Sequence, residues 1–484
     1  MTEFFPFSGP EIPGPALEVM VDNAKHILLV MCQALPGPEQ PATGGSIRAG
    51  SLGAALAGHG HRVTFAVPSG FLGGERQTAE GFSTVPYKIG ELDRLAAKLG
   101  ADILLFANWG LAAEAPICDL PTIIDMNGPL VLENHYRGRG RDLDDSLAKL
   151  KALGRADLLL AGSETQKAYL TAWVLAGGGN VEHLGIEVVP FFLPGSPPPR
   201  EPGEDLDIVL AGYDWPWLDG VGPVQVVAEE LARRGRGTLH LFTASASYHD
   251  SLAGEDSSAD RLGHLRGGDL ARVVQHRPLP FAELATVLGK ATVALDVWQR
   301  NSERELAFPS RTVTYLWAGL PVIIGNYGEL ARLVESYRAG WLVDPADPAA
   351  LARVIDEICR EPETVRTCGE NAARLYRERF SGADLVAPVA EFCRKPGANL
   401  RSAPLIAHLE KASEDLARSR EECRLMGEIH RQPRGFTGFS TFSRLGRRFR
   451  RVRMLPILLY LAILSWSGEV LHRLRTGRGG VCGS

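Results

Sequence analysis

The chain has no C-x-x-C pair: its seven cysteines, Cys32, Cys118, Cys359, Cys368, Cys393, Cys423 and Cys482, are scattered and keep no histidine-rich company. That spacing excludes a disulfide framework and a structural zinc site, and it fits a reducing compartment such as the cytoplasm. No window holds the roughly 18 apolar residues that a membrane-spanning helix needs. The nearest, residues 454–466, is interrupted by Pro456. Residues 1–24, with Glu3, Glu11, Glu18 and no basic stretch leading into an apolar run, do not read as a signal peptide and are expected to be a disordered lead-in. A P-loop, a nucleophilic triad, a G-x-G-x-x-G turn and a metal-ligand cluster are also missing, so no metal or resident cofactor is expected. With 52 Lys and Arg against 57 Asp and Glu, the net charge of −5 over 484 residues argues against a chain built for nucleic acid.

That small net charge conceals an asymmetry. Residues 432–484 carry ten arginines and one acid, Glu469, so about nine positive charges sit there and the rest of the chain stands near −14. Arg444 to Arg453 runs into the apolar stretch 454–466, after which Arg473, Arg475 and Arg478 follow. Thirteen helical residues cover about 20 Å, short of a hydrocarbon core of about 30 Å. Arginines flanking an apolar segment that contains Tyr460 and Trp466 suit insertion into one leaflet of an anionic membrane, with packing onto the body as the competing reading. No reader module for nucleic acid accompanies them.

What the body contains is alternation. Apolar runs at 26–30, 62–67, 102–106, 122–124, 158–161 and 188–192 alternate with helical spacing, which predicts a parallel sheet covered by helices on both faces. Five prolines and two glycines within 193–205 mark a break, and the alternation restarts at Asp207. The expected class is therefore α/β: two Rossmann-like domains, 25–194 and 206–395, joined by the linker 195–205 and facing each other across a cleft. A 4-3 apolar spacing through 405–426 predicts a helical extension over 396–431 that pairs with a second copy as a homodimer or docks on the body. Residues 432–484 form the tail.

Several loops carry residues suited to binding. Thr43-Gly44-Gly45-Ser46 opens a helix after the first strand, where small residues let an anionic ligand approach free backbone N–H groups. Asp125 ends a strand, with Glu133, His135 and Arg137 just beyond; Asp125 and His135 are candidates for the base that receives an incoming hydroxyl. Gly212 and Trp215 follow the first strand of the second domain, where an aromatic ring can stack on a base or sugar. Tyr327 and Glu329 follow a later strand and are placed to reach the same ligand.

The segment Glu303-Arg-Glu-Leu-Ala-Phe-Pro-Ser-Arg-Thr-Val-Thr-Tyr-Leu-Trp-Ala-Gly-Leu-Pro-Val322, followed by Gly340-Trp-Leu-Val-Asp-Pro345, resembles the donor-binding half of GT-B glycosyltransferases near the family-four group. Arg155 to Glu164, Val189-Pro190 and Gly212 to Asp219 extend the resemblance over roughly residues 26–385. It implies a GT-B fold, a nucleotide-sugar donor, a glycan or lipid-linked acceptor and transfer with retention of anomeric configuration. It implies a diphosphate cradle at a helix N-terminus, formed here by Ala307, Phe308, Pro309, Ser310 and Arg311 just ahead of a helix expected over 312–318, with Arg311 meeting the charge of the leaving group, Thr312 also on the donor and Thr314 placed to hydrogen-bond a ribose hydroxyl. This sequence departs from the family pattern at two positions: where paired glutamates are expected it has Leu306 and Thr314, with Glu303 and Glu305 close by. The competing expectation is accordingly a non-catalytic scaffold of the same fold that binds a glycan or nucleotide.

Overall fold

The computed structural model describes residues 23–36, 42–71, 77–79, 82–138, 140–180, 182, 185–245, 272–277, 279–397, 411, 414–415 and 417–424. The lead-in through residue 22, half of the 405–426 segment and the whole tail 432–484 lie outside the described residues. Two compact units are present, 1–413 and 414–484, and the fold described here is that of the first.

Its N-terminal half is an eight-stranded sheet: β1 (His26–Val30), β2 (Arg62–Pro68), β3 (Gln77–Ala79), β4 (Phe82–Tyr87), β5 (Ile103–Phe106), β6 (Thr122–Asp125), β7 (Leu158–Ala161) and β8 (Gly185–Val188). The strand order is β3-β4-β2-β1-β5-β6-β7-β8, and only the edge strand β3 runs antiparallel. Every residue of β1, β5, β6 and β7 is buried. Helices cover both faces, which is why these strands read as continuous apolar runs instead of alternating ones. The second half is an all-parallel sheet of β9 (Asp207–Asp214), β10 (Thr238–Ser245), β11 (Val273–Gln275), β12 (Val293–Asp296), β13 (Val322–Gly325) and β14 (Gly340–Val343), in the order β11-β10-β9-β12-β13-β14. Chain order reverses between β1 and β5 in one sheet and between β9 and β12 in the other. The crevices beyond the carboxyl ends of those pairs are where such sheets bind ligands.

Three features depart from the sequence reading. The run 188–192 is not a strand, because β8 ends at Val188. Beyond it, Val189 and Phe192 enter the core of the first half while Phe191 and Leu193 enter that of the second, so the backbone leaves the sheet to serve both. The proline-rich linker is docked: Arg200 Nη1 donates to the carbonyls of Leu288, Gly289 and Ala291 at 3.1, 3.2 and 2.6 Å, a cation on the carboxyl end of the helix Phe281–Lys290. Finally, the second half does not keep its chain to residue 395. The helix Ala387–Arg394 crosses back, burying Val389, Ala390 and Cys393 beside Ile27, Leu29 and Leu52 of the first half. Its apolar face completes a core that the first half alone leaves uncovered. All described cysteines are free thiols.

Two glycines do identifiable work. Gly319, at φ +66°, ends the helix Ser310–Trp317 in the left-handed conformation, and Leu320 N donates back to Tyr315 O at 2.9 Å. Gly53 lets the helix Gly44–Gly58 lie flat on β2, since a Cβ there would fall 2.3 Å from Phe65 Cζ. We expect Gly53→Ala to destabilise the protein by about 1–3 kcal/mol through overpacking, despite alanine's better helix propensity. A urea unfolding midpoint at or above the wild-type value would contradict this packing.

Candidate active site

The donor side is built around Asp296, the last residue of β12 and buried. Its carboxylate accepts from Trp298 Nε1 at 2.5 Å and from the hydroxyl of Thr312, and Arg311 Nε stands 3.9 Å away. Asp296 thereby ties the first turn of the helix Ser310–Trp317 to the sheet. That helix starts two residues earlier than its periodicity suggests, so Ser310 and Arg311 lie in its first turn instead of preceding it. Pro309 at its N-cap offers no side-chain bond, and the leading N–H groups of a helix have no partner within it.

Arg311 is held on three sides. Its guanidinium lies 4.7 Å from the Trp298 ring centre, Nη2 donates to Tyr213 O at 3.2 Å, and Gly212 passes so close that a Cβ there would stand 3.2 Å from Cζ. Its Nη1 is buried without a hydrogen-bond partner, in a group that is 13% exposed. A positive charge at the amino end of a helix opposes the helix dipole, so this arrangement favours an anion beside it. The first half reaches the same place through its glycine loop. A Cβ on Gly44 would fall 2.6 Å from Ser310 Oγ, and one on Gly45 would meet Gln33 Nε2 at 3.4 Å. Thr43 caps this helix through Ser46 N at 3.1 Å. Gly44, Gly45, Gly212, Ser310 and Arg311, expected from separate motifs, are thus gathered at the facing strand ends. A small pocket beside them is lined by Asp296, Trp298, Arg304, Pro309 and Tyr327. Burial raises the Tyr327 phenol above its ordinary range, and its hydroxyl donates to Trp298 O at 2.8 Å.

Other expected residues are engaged elsewhere. Thr312 is fully buried on Asp296, and Thr314 donates its hydroxyl to Ser310 O at 2.9 Å, one turn back. Trp215 stacks on Trp217 at 5.2 Å, and Arg137 of the first half stands 5.1 and 5.3 Å from the two rings, so the pair packs at the junction of the halves. Glu329 reaches into the first half instead of the pocket. Its carboxylate accepts from Glu164 N and Thr165 N at 3.4 and 2.8 Å, at the amino end of the helix Glu164–Ala176.

On the acceptor side, neither residue expected as a base is arranged as one. Asp125, 3% exposed, is gripped by Arg48 Nε and Nη2 at 2.6 and 3.0 Å. A carboxylate so paired is a buried fastening between the helix Gly44–Gly58 and β6. His135 is a surface residue, 58% exposed, in a 2.7 Å pair with Asp142. The half-buried neighbour Glu133 is different: burial, and then the charge of Glu303, push its carboxyl up to about 7. Glu303 is buried and bound by Arg304 Nε and Nη2 at 2.5 and 2.7 Å, whereas Glu305 is a half-exposed partner of Arg300.

Sequence reasoning did not single out Asp296, Trp298 or Arg304. The available signal was the position of Asp296 at the end of an apolar run, since polar residues at the carboxyl ends of parallel strands line such crevices. Among the described residues, no group of three or more His, Cys, Asp or Glu is placed to hold a metal ion, and no helix is long and apolar enough to cross a membrane.

Residues 297–375, which contain the cradle helix, match the family Glycosyl transferases group 1. The probable glycosyltransferase WbjE of Pseudomonas aeruginosa is 34% identical over 98 residues, 20% of this chain and 24% of WbjE, so the match spans about a quarter of that relative's length. Sucrose-phosphate synthase of Thermosynechococcus elongatus superposes with a TM-score of 0.57 at 18% identity, over 77% of this chain and 98% of the synthase. Anabaena HepE in complex with UDP-glucose superposes with a TM-score of 0.53 at 16% identity, over 76% and 98% of the two chains. The chain thus shares the two-domain GT-B fold of these structures, and its residues 297–375 resemble the Glycosyl transferases group 1.

Proposed function

We propose that this protein is a glycosyltransferase that moves a sugar from a nucleotide sugar to a hydroxyl of a glycan or lipid-linked acceptor in cell-surface polysaccharide synthesis. The observation that carries this reading is the buried, unpartnered Nη1 of Arg311 beside an uncapped helix start, at the point where Gly44 of the other half meets Ser310. An arginine fork and free N–H groups match the geometry and charge of a diphosphate. In the reaction the bond from the sugar's anomeric carbon to the diphosphate breaks, its electron pair leaves with the diphosphate, and Arg311 stabilises the developing charge. The acceptor hydroxyl enters from the first half, its oxygen bonds to the anomeric carbon as its proton passes to the departing diphosphate, and the facing halves keep water from competing. Retention of configuration and a hexosyl donor are the finer parts of this proposal, supported by the resemblance of the 303–322 segment. The retained fold without acids at Leu306 and Thr314 favours one second reading, a scaffold that binds the donor without turning it over.

A thermal-shift screen of nucleoside diphosphates and nucleotide sugars tests the donor site, because a ligand that binds only the folded state stabilises it by about 2.7 kcal/mol at 100 times its Kd. One nucleotide is expected to raise the melting temperature, and Arg311→Ala to weaken that response by at least about tenfold in apparent affinity. A folded sample that responds to no nucleotide sinks the transferase reading. Binding without transfer to any hydroxyl acceptor would select the scaffold.

We further propose that the arginine-rich tail docks the enzyme on the cytoplasmic face of an anionic membrane, supported by the charge of 432–484 and the apolar run 454–466. The full-length protein is expected to sediment with phosphatidylglycerol vesicles at low salt and to be weakened at about 0.5 M salt, where the Debye length is only a few ångströms. Equal binding to neutral vesicles would count against this mode.

A further inference from the structure

We propose that the pocket lined by Arg304 holds an acetamido group on the carbon next to the anomeric centre of the donor, so that the sugar this chain takes is an N-acetylated one. The proposal deepens the transferase reading and rests on it. The pocket shares Asp296, Trp298 and Pro309 with the surroundings of Arg311, and Pro309 is the N-cap of the cradle helix. With a diphosphate in the cradle, the substituents nearest the anomeric carbon are the ones that reach this pocket. Its other side is closed by the end of β13 and the first turn of the helix Gly328–Tyr337, through Ile324, Gly328, Leu330 and Ala331.

Arg304, on the helix Ser302–Leu306, brings one committed donor to the pocket. Its Nε and Nη2 donate to the two oxygens of Glu303 at 2.5 and 2.7 Å, which fixes the guanidinium plane, and its side chain is only 10% exposed. Among the described residues, none accepts from its Nη1. A guanidinium nitrogen only donates, so it calls for a ligand atom that accepts. The neighbouring helix start makes the same demand. Tyr327 at its N-cap offers no side-chain bond, its leading N–H groups have no partner within it, and Glu329, the acid of its first turn, is turned away to the first half. Against these donors stands an apolar wall of Ala307, Ile324, Leu330 and Ala331, all buried.

Charge decides against an acidic sugar. Glu303 pairs with Arg304 and Asp296 stands beside Arg311, so acids and arginines already balance, and the diphosphate brings further negative charge to Arg311. A carboxylate on the sugar would enter a site with an excess of negative charge. A hydroxyl suits the pocket less well, because its own proton needs an acceptor and leaves the wall without an apolar group to cover it. The oxygens of Asp296 already receive Trp298 Nε1 and the Thr312 hydroxyl, and those of Glu303 receive Arg304. An acetamido carbonyl accepts from Arg304 Nη1, and its methyl lies on the apolar wall. One small substituent thus satisfies both halves of the pocket.

The experiment is ligand-observed NMR on the full-length protein with donor fragments that carry no base, so that the identity of the nucleotide does not enter. The probes are the α-1-phosphates of N-acetylglucosamine and glucose, of N-acetylgalactosamine and galactose, and of glucuronic acid, each competed with inorganic pyrophosphate. In at least one pair the acetylated sugar is expected to bind at least about tenfold tighter than the plain one, displaced by pyrophosphate, with glucuronic acid 1-phosphate the weakest. Arg304→Lys keeps a charge for Glu303 but loses the fixed fork, and Ala331→Val fills the space beside the apolar wall. Each is expected to bring the ratio of acetylated to plain affinity toward one, and that ratio, unlike either affinity, is not moved by a general loss of folded protein. Equal or weaker binding of the acetylated sugar in both pairs, a preference for glucuronic acid 1-phosphate, or an unchanged ratio in either variant would overturn the proposal. So would binding of pyrophosphate without any sugar phosphate, an outcome that leaves the cradle standing. If pyrophosphate itself does not bind, the donor reading fails and this proposal falls with it.

Discussion

Asp296 is the constraint on which the donor side depends. A buried carboxylate is tolerated only with its oxygens satisfied, and here they are met by the Thr312 hydroxyl and the indole of Trp298, with the Arg311 guanidinium close by. These contacts do more than neutralise the charge. Thr312 anchors the first turn of the cradle helix to the end of β12, Trp298 becomes the surface on which Arg311 lies, and Arg311 is left with one nitrogen directed at nothing in the protein. The arrangement is thus assembled by satisfying one buried acid, and it leaves Arg311 with a buried nitrogen that has no partner.

The two halves are joined by contacts of different character. The crossing helix Ala387–Arg394 and the shared segment around Val189 to Leu193 bury apolar side chains. Nearer the site the contacts are polar: Glu329 on the amino end of the helix Glu164–Ala176, Gln166 Nε2 on Leu306 O at 3.2 Å, and Arg137 over the Trp215–Trp217 pair. Hydrogen bonds that exchange with water contribute modestly to net stability, so the apolar contacts hold the halves together more than these polar ones do. The carboxylates missing at Leu306 and Thr314 also take on a structural meaning. Position 314 is closed by the bond of its hydroxyl to Ser310 O, and the nearest substitute acid, Glu303, is spent on Arg304.

Sequence by itself determined the layer architecture. Continuous apolar runs such as 26–30, 103–106 and 322–324 can be buried on both faces only by helices, and the Pro and Gly cluster at 193–205 ends one sheet before the next begins. It also determined the left-handed turn at Gly319, a local need that is legible locally, whereas Gly44 and Gly212 give room to Ser310 and Arg311 far along the chain, and only the fold shows that. Tertiary structure alone decided how polar side chains are used. Asp125 ends β6 and Glu133 follows eight positions on, in the helix Leu130–Tyr136, and nothing in their spacing tells that one is bound by Arg48 while the other is pushed up by burial and then the charge of Glu303. Those fates depend on partners 77 residues away for Asp125 and on the opposite half for Glu133. The same holds for the helix Ala387–Arg394, whose apolar face is plain in the sequence but whose docking partner is not, because apolar burial is non-directional and only the assembled core shows which surface was left open.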